Sequence, residues 1–367
     1  MQINYITVTD IPSNNANSLQ IIQMCNALAL NGNEVNLIIP NLGKSKKTIK
    51  EFYGIKSNFR VIKIGKKQNE ISKFQNILIP LKLVFRSLLI KSDKIITRNL
   101  MISLILILLR RKHIVEIHDD LRTSGKILSN IFRNLKLLNS SSIEKVIFIT
   151  KKLKNFITCN YNYKNDNFKI LSDSTSIFNN KTNNLIKKKL KIGYFGSIYK
   201  SRGITTILKL SKLDQKNIYY IYGGSNLFVN KLKRKIFNKN LFLFSQIPYK
   251  NIKKEILKMD ILLMPYSNKV TSTGDIGNII DFMSPMKMFD YLGSSKVIIS
   301  ANIPVLREIL IHKKNCILID NYLNVNSWLK EIKKVNSNYL NYITLRKNAF
   351  NTVKKFTWLD RAKQIIE

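Results

Sequence analysis

Between a strand-like run at Ile3 to Val8 and a second at Val35 to Ile39 lies a helical pattern, Leu19 to Leu30, with apolar residues at Leu19, Ile22, Cys25 and Ala29 and a stop at Gly32. Strand, helix, strand at this spacing is a parallel βαβ unit, whose ligands sit at the carboxyl ends of the strands. The polar loop Thr9 to Ser18 therefore faces a cleft. Its Asp10 and Asn15 are candidates for touching substrate, with solvated turn residues as the alternative. Further strands are expected at Phe59 to Ile64, Lys94 to Thr97, His113 to Ile117, Lys145 to Thr150 and Lys169 to Ser174. A second series runs through Leu190 to Phe195, Ile218 to Tyr222, Leu241 to Phe244, Asp260 to Met264 and Val297 to Ser300. The Asn- and Lys-rich stretch between the series has no periodicity and reads as a linker at 179–189. With 367 residues the chain has room for two α/β domains.

The most informative stretch is Ser284-Pro285-Met286-Lys287-Met288-Phe289-Asp290-Tyr291-Leu292-Gly293, followed by the apolar run Val297-Ile298-Ile299. Ser284 suits a helix N-cap, Pro285 the first helical position, and Gly293 a helix end. A short helix opening at Ser284 points its free amides and positive dipole end outward. With the Lys287 ammonium these make a site for phosphate oxygens. Asp290 shares the Lys287 face one turn further on, an offset that matches a ribose beside a pyrophosphate. A second loop offers complementary chemistry. Gly196-Ser197 leaves a strand, Arg202-Gly203 follows, and Ile204 begins a helix; the Arg202 fork of donors fits phosphate oxygens. Gly223-Gly224 is another close-approach turn after a strand.

These segments closely resemble the nucleotide-binding motifs of family 4 of the retaining glycosyltransferases, group 1 enzymes of GT-B fold. There a Ser-Pro-x-Lys-x-Phe-Glu-Tyr segment precedes a turn, a buried strand and a Pro-Val-x-Arg-Glu helix; here Pro304-Val305-Leu306-Arg307-Glu308 follows the strand. The Asp260 to Pro265 strand and Phe356-Thr357-Trp358 with Arg361-Ala362 are similar to the family as well. The resemblance implies an α/β GT-B fold, two Rossmann-like domains facing each other across a cleft. The expected boundaries are an acceptor-binding domain at 1–178, a nucleotide-sugar-binding domain at 190–348 and a helix at 349–367 crossing back. It implies sugar transfer from a UDP- or GDP-sugar to a hydroxyl of a glycan or lipid-linked acceptor, with retention and without metal or cofactor. Arg202 and Lys287 would stabilise the departing pyrophosphate. Gly196, Ser197, Gly223, Gly224, Ile247, Ser284, Pro285, Met286, Met288 and Asp290 would line the donor nucleotide. His118, at a strand's carboxyl end, would touch the sugar or acceptor; a His that caps a loop through backbone is the other reading. Two positions depart from the family: Asp290 stands for its usual Glu, and Phe282 for a Glu eight positions earlier.

Net charge bears on partners. A formal +40 with a pI near 10.1 brings nucleic acid and anionic membranes into consideration. Most of the basic residues are Lys, spread together with abundant Asn and Ile, which fits a drift in composition. The segment Ile71 to Ile90, studded with Lys73, Lys82 and Arg86, is either a basic amphipathic helix on an anionic membrane or a helix packed on the sheet. No aromatic-basic interleaving marks a nucleic-acid reader, so no specific nucleic acid is expected. Leu100 to Leu109 is too short to span a bilayer and reads as a buried helix. Cys25, Cys159 and Cys316 lie far apart and read as buried, reduced thiols of a cytoplasmic protein, peripheral on a membrane's inner face if attached at all. A catalytically weak GT-B relative acting as a scaffold, and a basic nucleic-acid-binding protein, are the rival functions.

Overall fold

The computed structural model describes residues 1–42, 48–55, 59–68, 75–177, 189–236, 238–270 and 278–367. The expected linker at 179–189 lies outside them except for Lys189, as do Lys73 and Phe74 of the amphipathic segment. The chain divides into two compact units, Met1–Asp173 with Trp358–Glu367, and Ser174–Thr357.

The first unit holds a seven-stranded sheet of β1 (Gln2–Ile6), β2 (Glu34–Leu42), β3 (Arg60–Gln68), β4 (Lys94–Thr97), β5 (His113–Ile117), β6 (Ile143–Phe148) and β7 (Phe168–Ile170), in the order β3-β2-β1-β4-β5-β6-β7. The second holds a six-stranded sheet of β8 (Lys191–Phe195), β9 (Ile218–Tyr222), β10 (Leu241–Phe244), β11 (Ile261–Met264), β12 (Val297–Ala301) and β13 (Ile317–Ile319), in the order β10-β9-β8-β11-β12-β13. Neighbouring strands pair in parallel throughout, as in Ile3 opposite Val35 and Leu262 opposite Ile298. Parallel strands joined by crossover helices are covered on both faces, which explains why β5, β11 and β12 are buried along their whole length. In each sheet the strand order reverses beside the first strand of its series, between β1 and β4 and between β8 and β11. Such switch points open a crevice at the strands' carboxyl ends, where α/β sheets take their ligands.

Three expectations change. The break placed at 348/349 falls inside the helix Ile343–Val353, which packs on the helix Met286–Gly293, so the returning segment of the first unit begins at Trp358. The apolar helix runs Leu100–Leu108 and is buried on one side only; its last turn leaves Leu108 and Leu109 exposed, where Arg110 and Arg111 bring the chain to solvent. Cys25 and Cys316 are buried, but Cys159 is exposed on the outer face of the helix Lys151–Tyr161.

Candidate functional site

In the second unit three loops meet at the switch point. The loop after β8 carries Gly196 and leads through the turn Lys200–Arg202 to the helix Ile204–Leu213. The strand β11 ends at Pro265 and Tyr266, and the helix Met286–Gly293 opens nearby. Gly203 is indispensable to this junction, because a Cβ on it would lie 1.5 Å from the Pro265 carbonyl oxygen. Two aromatic rings then hold two cations. Lys287 Nζ lies 4.2 Å from the Tyr194 ring centroid and 5.2 Å from that of Tyr266, while the Arg202 guanidinium lies 5.8 Å from the same Tyr266 ring. Cation–π contact favours a cation beside an electron-rich face, but it does not replace a hydrogen-bonding anion. Lys287 Nζ is buried and has no hydrogen-bond partner among the described residues. Burial, and then the Arg202 charge, pushes its pKa well below the ordinary lysine value.

The helix that carries Lys287 starts one residue later than expected. It runs Met286–Gly293 with Pro285 as its cap, and no side chain closes the cap. Pro285 lacks the helical ψ, so Ser284 lies outside the first turn, which is closed by Met288 N to the Pro285 carbonyl at 2.8 Å. Met288 is a correction: its amide is used in that turn and its side chain is part of the core, so neither is presented to a ligand. Met286 and Pro285 are half-buried at the helix mouth. The carboxylate of Asp290 is buried, and it accepts from Thr175 Oγ1 at 2.6 Å and Tyr249 OH at 3.0 Å. Burial raises its pKa.

Gly196 donates its amide to the Tyr222 carbonyl, and Gly223 donates to that of Phe244, so the first glycine turns of β8 and β9 lie side by side. Gln246 N donates to the Gly224 carbonyl, bringing Ile247 next to this turn. Ser197 is exposed, with its carbonyl accepting from Tyr194 OH at 2.6 Å. The structure thus brings together Gly196, Arg202 and Lys287 at one point, and Gly223, Gly224 and Ile247 at another beside it. Sequence reasoning missed Tyr194 and Tyr266. Tyr266 stands directly after the recognised Pro265, and Tyr194 lies in β8 just before Gly196, so both had a positional signal.

In the first unit His118 follows β5, and its Nε2 lies 3.2 Å from Glu116 Oε2. A side-chain carboxylate, not a backbone group, is therefore its partner. Glu116 is also paired with Arg361 at 2.8 Å. Glu116 and Arg98 were not singled out from sequence, and Arg361 entered only through the Phe-Thr-Trp and Arg-Ala resemblance, not as a partner of Glu116. An acid inside the apolar strand His-Ile-Val-Glu-Ile was the signal, since a buried carboxylate requires a partner. Asp10 and Asn15 are exposed on the loop after β1; Asn15 precedes the helix Ala16–Leu30 without a side-chain cap bond. His113 is structural, bonding Ser103 Oγ and the Arg111 carbonyl.

No protein-family model matches the chain, and no curated protein matches its sequence. Solved structures do match over the full length. Sucrose-phosphate synthase from Thermosynechococcus elongatus is similar at a TM-score of 0.73 and 14% identity, over 99% of this chain and 97% of that one. A glycosyltransferase from Rickettsia africae gives 0.71 at 15% identity, over 100% and 96%. Anabaena HepE in complex with UDP and glucose gives 0.69 at 13% identity, over 100% and 98%. At these identities the likeness establishes the fold: the chain has the two-domain α/β GT-B architecture found in glycosyltransferases.

Proposed function

We propose that the chain is a glycosyltransferase that moves a sugar from a nucleotide diphosphate sugar to an acceptor hydroxyl with retention, in envelope polysaccharide or glycolipid synthesis. The observation that carries this reading is Lys287 Nζ, buried without a hydrogen-bond partner among the described residues, beside Arg202 at the switch point of a parallel sheet. A buried ammonium is costly unless an anion accompanies it in the working state. A diphosphate supplies several oxygens to a guanidinium fork, an ammonium and a helix mouth at once. As the bond to the sugar breaks, negative charge gathers on the leaving diphosphate. Fixed cations aimed at that charge lower the barrier without reorganising. Arg202 and Lys287 do this work without a metal ion. Gly223, Gly224 and Ile247 border the nucleotide, and Asp290 binds the ribose by exchanging its Thr175 or Tyr249 bond. That structures with this fold include HepE bound to UDP and glucose supports a nucleotide-sugar donor.

The test is binding of UDP, GDP and their sugars, followed by slow hydrolysis of the donor that binds. Arg202→Ala and Lys287→Ala are each expected to lower hydrolysis at least a hundredfold with the fold intact, in line with removal of one transition-state donor. Binding of no nucleotide sugar by the wild type, or unchanged hydrolysis in both variants, overturns the reading in favour of a scaffold.

The first unit then receives the acceptor. Its helix Gln75–Leu88 exposes Ile77 at 55% and Phe85 at 56%, with exposed Lys82 and Arg86 between and beside them, and Leu89 follows at 78%. That combination suits the surface of an anionic bilayer on its cytoplasmic side and hence a lipid-linked acceptor. No helix among the described residues is long and apolar enough to cross a membrane. Sedimentation with anionic vesicles checks this part when the wild type is compared, over a range of salt, with a variant whose exposed apolar side chains on this helix are replaced.

A further inference from the structure

Around one carboxylate at the end of β5, side chains from distant parts of the first unit meet. The Glu116 side chain is fully buried, and its Oε2 accepts from Arg361 Nη2 at 2.8 Å and contacts His118 Nε2 at 3.2 Å. The Tyr5 hydroxyl donates to Oε1 at 3.2 Å, and Gln20 Nε2 reaches Oε2 at 3.4 Å. Arg361 is itself fixed by the carbonyls of Ser172 at 3.0 Å and Leu171 at 3.3 Å. Arg98, just past β4, holds Gln20 Oε1 at 2.6 Å.

The proton in the Glu116–His118 contact can be assigned from this arrangement. Burial alone would raise the Glu116 pKa, but Arg361, the His118 bond and Arg98 hold it well below the usual carboxylate range. An ionised carboxylate only accepts, so His118 Nε2 carries the hydrogen. Burial, and then the Arg98 charge, brings His118 down to about 3, which leaves the ring neutral. A neutral imidazole with its proton on Nε2 has a bare lone pair on Nδ1. Among the described residues no hydrogen bond reaches Nδ1, and the side chain keeps 16% of its surface exposed.

We propose that Glu116 and Arg361 are positioning residues that lock His118 in the Nε2–H form, so that Nδ1 stands as a fixed hydrogen-bond acceptor for a substrate hydroxyl. His118 does not donate to substrate, because its one N–H is taken by Glu116. Only the identity of that hydroxyl, as one of a sugar or acceptor, rests on the glycosyltransferase reading.

Two measurements test this. The chain has three histidines, so long-range proton–nitrogen spectra of nitrogen-15-labelled protein, with His118→Gln for assignment, report the His118 form directly. The expected result is a neutral Nε2–H ring, unchanged from about pH 8 to about pH 5, where a free histidine would titrate. A proton on Nδ1, a mixture of forms, or a titration near the free value overturns the proposal, whether or not the protein transfers sugar. The second is kinetic. Glu116→Gln is expected to lower kcat/KM about tenfold, the worth of one hydrogen bond, and to add no further loss in a His118→Ala background. An equal loss in both backgrounds makes Glu116 merely structural and sinks the proposal. Should Glu116→Gln not fold, Glu116→Asp makes the same comparison; it keeps the charge facing Arg361 and is too short to hold His118.

Discussion

Lys287 illustrates how one residue can oppose stability and serve binding. Its Nζ is buried between Tyr194 and Tyr266 without a hydrogen-bond partner among the described residues, and its pKa is depressed by burial and then by Arg202. Between the depressed folded value and the ordinary unfolded one, the unfolded chain binds more protons. Stability attributable to this residue therefore rises with pH through that window and falls as pH drops through it. Lys287→Met keeps the volume and removes the charge. It is expected to stabilise the free protein by about 1–3 kcal/mol, as replacement of buried charge by apolar groups does, and to abolish nucleotide binding. Thermal unfolding in the absence of ligand, paired with UDP titration, checks both halves. A bound diphosphate also favours the charged amine, so binding takes up protons in the wild type and its affinity weakens as pH rises. Calorimetric titration of the wild type in buffers of different ionisation enthalpy measures that uptake.

At the level of loops and helices, two glycines at adjacent turns have different jobs. A Cβ on Gly196 would lie 2.7 Å from Lys287 Nζ, the far end of a flexible side chain. On Gly223 it would lie 1.8 Å from the Gly196 carbonyl oxygen, which is backbone and cannot step aside. Gly196→Ala is therefore expected to displace the ammonium and weaken nucleotide binding tenfold or more with a modest loss of stability, of about 1 kcal/mol for its positive φ. Gly223→Ala is expected to lower the melting temperature clearly more, because two strand ends must separate. Melting curves and UDP affinity for both variants decide it; the reverse ranking would show that these turns do not meet as described. Both glycines were legible in the sequence because a turn after an apolar strand has a local signature. Tyr194 and Tyr266 were less so, since whether a tyrosine covers the core or walls a site depends on where a distant helix places its lysine. The helix start was misjudged for a similar reason: Ser284 and Pro285 have the right propensities, but the backbone at Pro285 is extended and serves as the cap.

For the whole molecule, strand patterning was enough to read both series of strands except β13, because period and burial are local properties and the three residues of β13 are too few to show a period. The division of the chain was harder. Arg361, 245 residues from Glu116 in the chain, completes the first unit by pairing with it, and no local pattern announces a contact of that range. Charge presents the opposite problem, since +40 is obvious and its use is not. A chain this basic will adhere to any anionic surface at low salt, so retention on anionic vesicles by itself decides nothing. What distinguishes a docking face is its apolar component. Phe85→Ser with Leu89→Ser leaves the net charge unchanged and alters side chains that are largely exposed, so folding should be unaffected within about 0.5 kcal/mol. If the helix Gln75–Leu88 lies on the bilayer, the pair should lose several-fold in binding to vesicles containing anionic lipid. The wild type should then retain part of its binding at a salt concentration that releases purely electrostatic contacts, because buried apolar surface is not screened. Equal binding by the variant and the wild type at every salt concentration would assign the attraction to bulk charge alone and leave the acceptor to be sought in solution.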